Sequence, residues 1–96
     1  MKIEQKQEGS KGLFFIGDED PHRAEMTYSM ANDSKMIIDH TEVSDELRGM
    51  NIGKQLVNAA VEYAREKQIK IIPLCPFARS VFDKTTEYHD VLFQHV

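Results

Sequence analysis

The sequence predicts an α+β fold: an antiparallel four-stranded sheet, extended by a parallel fifth strand, with one main helix and a short C-terminal helix. Three observations carry this expectation. In the first half, short apolar or alternating runs are separated by polar turn residues, the pattern of a strand meander. After Gly53 the apolar residues change to helical spacing. A β-rich run from Ile69 to Cys75 then follows, and strand, helix, strand in that order implies a right-handed crossover that sets the fifth strand parallel to the fourth. With 96 residues and no break in composition, the chain is expected to form a single domain over 1–96.

The elements follow in order. Ile3 begins a weak first strand that ends near Gly9-Ser10-Lys11-Gly12. Leu13-Phe14-Phe15-Ile16 is a short apolar strand closed by Gly17-Asp18-Glu19-Asp20-Pro21. Ala24, Met26, Tyr28 and Met30 alternate with Glu25, Thr27 and Ser29, so one face of the third strand is buried. Asn32-Asp33-Ser34 has turn chemistry. Met36 to Val43 reads as a fourth strand, apolar early and polar late. Ile52, Leu56, Val57, Ala60, Tyr63 and Ala64 form the inward face of a helix reaching about Lys67, and its other residues have good helix propensity. A short helix is expected over Phe77 to Asp83, with Tyr88, Val91, Leu92 and Phe93 closing the chain.

Composition narrows the function classes. The apolar share of 41% and charged share of 29% are those of an ordinary globular domain. A net charge of −4 without a basic run argues against nucleic acid or an anionic membrane as partner, while leaving room for a local cationic pocket. The single cysteine, Cys75, excludes an internal disulfide and a multi-cysteine metal site. His22, His89 and His95 have no ligand-like spacing, so no metal is assigned. The N-terminal residues do not resemble a signal peptide and no apolar run reaches membrane-spanning length, so a reduced, cytoplasmic setting is expected. Oligomeric state is left open, a monomer being sufficient.

The stretch Asp45 to Leu56, DELRGMNIGKQL, carries the first functional signal. It places glycines directly before the best helix, at the end of a strand. The first helical N–H groups lack intrahelical partners and sit at the positive end of the helix dipole, and glycines let the backbone approach an anion closely. Arg48 and Lys54 flank the turn and add positive charge. An ordinary glycine-containing loop is the plain alternative. The pattern is neither a Walker A loop nor a GxGxxG fingerprint.

Val43 to Leu56 resembles the acetyl-CoA-binding motif of the GNAT N-acetyltransferase superfamily, Arg/Gln-x-x-Gly-x-Gly/Ala between the fourth strand and the next helix. Arg48 and Gly53 match its first and last positions, and Asn51 stands where the central glycine is usual. Asparagine is the non-glycine residue that best tolerates the left-handed conformation. His40-Thr41-Glu42-Val43, Pro73-Leu74-Cys75-Pro76-Phe77 and Glu87 to Leu92 are similar to a small single-domain GNAT subfamily with a characteristic cysteine. The likeness covers most of the chain from Met36 onward.

The resemblance implies a minimal GNAT (acyl-CoA N-acyltransferase) fold and acetyl transfer from acetyl-CoA to an amine. It assigns the pyrophosphate of CoA to the backbone of Arg48, Gly49, Met50, Asn51, Ile52, Gly53 and Lys54, and the pantetheine arm to the end of the fourth strand near Thr41 and Val43. The Val43 amide becomes the candidate oxyanion donor. Pro73 and Pro76 each lack a ladder N–H, so the fourth and fifth strands are expected to splay near Cys75, although two prolines can equally end an edge strand.

His40 and Cys75 lie at corresponding ends of the fourth and fifth strands and are the candidate catalytic pair. A free histidine pKa of about 6.5 suits a general base, and a cysteine near about 8.5 suits protonation of a leaving thiolate or transient acyl carriage. A buried small hydrophobe and a polar strand-end residue are the plain alternatives for the two. Phe77 and Arg79 are candidates for lining the cofactor's pantetheine or adenine end, or for capping the short helix. Full-length family members carry helices between the first two strands; here the short turn at Gly9 to Gly12 implies an open acceptor groove that suits a protein, peptide or polyamine amine equally. A CoA-binding module without turnover is the alternative function, and an interaction domain that binds no anion a third.

Overall fold

The computed structural model describes residues 2–17 and 23–93. Among them β1 (Glu4–Glu8), β2 (Lys11–Ile16), β3 (Ala24–Asn32), β4 (Lys35–Val43) and β5 (Lys70–Pro73) form one sheet in sequential order. The first four strands are an antiparallel meander, and β5 is parallel to β4. The helix α1 (Ile52–Lys67) connects β4 to β5, and α2 (Pro76–Lys84) follows β5. This is the mixed α+β sheet with two helices that the patterning predicts. The residues of the expected second turn from Asp18 onward, together with His22 and His95, lie outside the described residues.

Turn chemistry sets the register. Glu8 pairs with Lys11, which leaves Gly9 and Ser10 as a two-residue connection, Gly9 at φ 62°. Asn32 pairs with Lys35, and the Asn32 side-chain oxygen accepts hydrogen bonds from the Ser34 amide (2.8 Å) and hydroxyl (3.0 Å). With no helix between β1 and β2, one sheet face stays uncovered along the meander.

The other face carries the core. Phe14, Ile16, Ala24, Met26, Tyr28, Met36 and Ile38 are buried there, beneath Leu56, Val57, Ala60, Val61 and Ala64 of α1. Tyr63 is only partly buried, its ring edge-on to Phe14 at 6.0 Å. Tyr28 is fully enclosed, and its hydroxyl reaches polar β1, accepting from Gln5 Nε2 (2.7 Å) and donating to Gln7 Oε1 (2.9 Å). Thus an edge strand with little apolar content is tied down by a buried phenol that needs partners.

Two boundaries differ from the sequence expectation. β5 stops at Pro73, and Cys75 becomes the residue preceding α2, with Pro76 at the first helical position, where its missing N–H costs nothing. The C-terminal segment then returns along β5: the Ile71 amide donates to Val91 O (2.6 Å) and the Phe93 amide to Ile71 O (2.8 Å). Arg65 of α1 fastens this segment through both Asp90 carboxylate oxygens (2.9 and 3.0 Å) and Glu87 O (2.7 Å).

Candidate active site

The site begins with one extra residue in β4. Tyr28 pairs with Ile38 and Thr27 with His40, so Asp39 is inserted as a β-bulge, held by a hydrogen bond from the Thr27 hydroxyl to its carboxylate. Paired residues share a face. Met36, Ile38, Thr41 and Val43 therefore share the helix-bearing face with their partners Met30, Tyr28, Met26 and Ala24. His40 and Glu42, opposite Thr27 and Glu25, are on the uncovered face.

The second feature is a gap beside the end of β4. Parallel pairing with β5 ends at Ile38 and Pro73, and the amides of Leu74 and Cys75 both donate to Ile38 O at 3.0 Å. Lys70 and Leu74 donate toward β4 and Ile71 toward the C-terminal segment, so the missing N–H of Pro73 faces away from β4. The pairing ends because Cys75 turns back onto Ile38 O and α2 begins at Pro76. From Asp39 to Val43, β4 runs on without β5. The Ser44 amide donates to Arg23 O on the β3 side at 2.8 Å; successive backbone groups alternate in direction, so the Val43 N–H faces the gap.

Cys75 stands at the closed end of that gap, 4% exposed, with its Sγ 3.4 Å from Thr41 Oγ1. Burial pushes the thiol pKa up, but the Thr41 hydroxyl and the amides of Ala78, Phe77 and Thr41 outweigh it and hold the thiol below its ordinary value. The α2 amides close no capping hydrogen bond to the sulfur by distance and angle; their field at the helix start is what counts. The structure does not bring His40 to Cys75. Unbroken alternation from Ile38 would have done so, and the bulge puts Thr41 in that place. The His40 side chain is 63% exposed on the other face, its Nε2 3.9 Å from Glu42 Oε2.

At the end of β4 the chain makes a 3₁₀ turn, Asp45–Leu47, whose Leu47 is buried and anchors the loop. Gly49 has φ 84°, and Asn51, the residue before α1, has φ 58° and ψ 29°, the left-handed conformation the turn needs. The Asn51 side chain makes no capping hydrogen bond, and no acidic residue occupies the first turn of α1. The amides of Ile52, Gly53 and Lys54 are therefore open to an outside anion.

Loop, gap and α2 enclose a cleft of ≈ 520 Å³. Thr41 and Val43 line it from β4, and Arg48, Gly49, Asn51, Ile52, Gly53 and Lys54 from the loop and α1. Of the residues expected to hold cofactor, only Met50 is outside, its carbonyl accepting from Gln55 Nε2 at 3.2 Å. α2 contributes Phe77, Ser80, Val81 and Lys84. The last three were not anticipated, yet positions 77, 80, 81 and 84 are one helical face after a proline start, a signal present in the sequence. Arg79 is off that face. Arg48, Lys54 and Lys84 make the lining cationic in an acidic chain, and no carboxylate lines it among the described residues.

Comparison with known proteins gives the same outline. Residues 13–91 match the family model of the GCN5-related N-acetyl-transferases. The NMR solution structure of a GCN5-like protein from Staphylococcus aureus is 44% identical, with a TM-score of 0.76, over 97% of this chain and 90% of that one. At 17% identity the fold is shared with a GNAT family acetyltransferase from Elizabethkingia anophelis with acetyl-CoA bound (TM-score 0.55; 67% of this chain, 42% of that one). It is also shared, at 17% identity, with a ribosomal-protein-alanine N-acetyltransferase from Brucella melitensis (TM-score 0.59; 91% and 64%). No curated protein matches the chain.

Proposed function

Because this chain belongs to the GCN5-related N-acetyltransferase family, whose acyl donor is acetyl-CoA, we propose that it transfers acetyl to an amine acceptor by direct attack, the acceptor arriving at the uncovered face of the sheet. The observation that carries this reading is the run of β4 past Pro73: a strand end with free backbone, leading into an open helix N-terminus. Acetyl-CoA supplies an acyl group already activated as a thioester.

The chain's own residues divide the remaining work. The amides of Gly49 to Lys54, with Arg48 and Lys54, bind the pyrophosphate end by charge and backbone hydrogen bonding. Thr41 and Val43 offer backbone groups along the gap, and the Val43 N–H donates to a carbonyl oxygen there, a contact worth about 2.7–4 kcal/mol when it tightens in the transition state. Cys75, on the helix-bearing side, holds the proton that a departing thiolate needs. A thiol acidified by its surroundings gives that proton up more readily. His40, on the uncovered side, is placed to take a proton from an incoming amine. The bulge at Asp39 thus separates acid from base across the sheet. The exposed position of His40 on the uncovered face suits a peptide amine or a polyamine alike.

The test has two stages. Thermal shift with acetyl-CoA, CoA and ATP should show stabilisation by both CoA forms; no shift with either removes the reading. Thiol release across polyamines and lysine peptides then reports turnover. His40→Ala and Cys75→Ala should each lower the rate at least about tenfold while leaving CoA affinity unchanged, and unchanged rates would strike both from the mechanism.

A further inference from the structure

We propose that the Thr41 hydroxyl is a positioning residue for this site: it fixes the Cys75 sulfur at the closed end of the gap, and the single residue inserted at Asp39 is what brings it there. The proposal rests on the reading of Cys75 as the residue that handles the leaving group. It goes beyond that reading by naming which side chain controls the sulfur.

Three independent pieces of geometry converge. The Thr41 Oγ1 to Cys75 Sγ separation of 3.4 Å is the one side-chain hydrogen bond found at this sulfur among the described residues. The β3–β4 register, Met26 with Thr41 and Thr27 with His40, turns Thr41 toward the helices and the imidazole away. The end of β5 at Pro73 leaves no strand between the two side chains, because Leu74 and Cys75 both fold back onto Ile38 O. A hydroxyl on the core-facing side must find a partner. Here its partner is the chain's sole cysteine.

The leading influences on the sulfur are uncharged: burial, the Thr41 hydroxyl and the amides of Ala78, Phe77 and Thr41. The charged groups on the packed elements, His40 and Glu42 on β4, Lys54 on α1 and Arg79 on α2, are not among them. A hydroxyl that can donate or accept suits both states of the thiol. It accepts from Cys75 S–H before transfer. When the Cys75 S–H bond breaks and the proton passes to the departing sulfur, the Thr41 O–H rotates to donate to the new thiolate, beside the amides of Phe77 and Ala78. A proton from solvent then restores the thiol.

Alkylation with iodoacetamide tests this without acetyl-CoA or acceptor, and labelling is unambiguous with one cysteine. In Thr41→Val, alkylation at pH 7.5 should slow about fivefold or more and its pH midpoint rise, while Thr41→Ser should stay within about twofold of wild type. With acetyl-CoA, Thr41→Val should lose kcat with KM little changed, and Thr41→Ser should restore it. A folded Thr41→Val, checked by melting, that alkylates as wild type does overturns the proposal. A second measurement needs no variant: the Cys75 ¹³Cβ resonance of the wild type should titrate at lower pH than that of a cysteine in an unstructured peptide measured alongside, and titration at or above the peptide's overturns it as well. Absence of acetyl transfer alongside the expected alkylation profiles would count against the proposed function and leave the Thr41–Cys75 pairing intact.

Discussion

The ring of Phe77 lies on the bare backbone of Gly53, so close that a methyl group added there would meet Cζ at 2.6 Å and Cε2 at 2.7 Å. The contact joins the first turn of α1 to the first turn of α2 across the mouth of the cleft. Phe77 is 42% exposed and its ring can swing aside, so Gly53→Ala should cost the fold little. Alanine in a helix even gains up to about 1 kcal/mol over glycine. The displaced ring and the new methyl must instead intrude on the cleft. Expected is an unchanged or raised Tm together with acetyl-CoA affinity weakened about tenfold, roughly 1.4 kcal/mol. Calorimetric titration beside a thermal melt separates the two effects, and wild-type affinity would mean that cofactor does not pass this contact.

Asn51 occupies left-handed space at the head of α1 while its carbonyl accepts from the Gln55 amide at 3.0 Å. The side chain itself makes no capping hydrogen bond, so the backbone conformation is what the position requires. Asn51→Gly should therefore keep both stability and CoA binding. Asn51→Val puts a β-branched side chain at φ near 58° and should cost about 1–2 kcal/mol, with weaker CoA binding as the loop amides turn away. Equal melts and equal affinities for the two variants would show that the loop can rearrange freely.

The strand meander, the main helix and the turn before it were legible because each rests on local signals: alternation, helical period, and glycine or asparagine before a helix. The partner of Cys75 was not. Two-residue alternation from Ile38 leads to His40 and Glu42, and the bulge makes it lead to Thr41 and Val43. A bulge adds a residue without changing composition, and the polar character of Asp39-His40-Thr41-Glu42 hides it further. One trace does exist. Ile38 and Val43, both apolar, are five positions apart, an odd number that two inward-facing residues of one strand reach only across an inserted residue. Likewise Cys75 reads as strand from its β-rich neighbours, whereas Pro73 and Pro76 together make it the hinge between β5 and α2.

The Arg65–Asp90 clamp gives a pH signature at the far end of the molecule from the cleft. Both groups are exposed, and Arg65, through paired hydrogen bonds, holds the Asp90 carboxyl below its ordinary range. A depressed carboxyl pKa means that the folded chain favours the charged form, so the clamp's contribution is fully present above the unfolded value near about 4. It is lost as pH falls through the depressed folded value. Asp90→Asn should thus lower Tm slightly at pH 7, and the gap to wild type should close in strong acid. Salt should shrink it at neutral pH, since the pair is solvent-screened. Hydrogen exchange at the Ile71 and Phe93 amides should quicken in the variant, because the segment that Arg65 fastens carries the acceptor of the first, Val91 O, and Phe93 itself. A Tm difference that stays constant from neutral pH into strong acid would show that packing, and not the carboxylate charge, holds the C-terminal segment to α1.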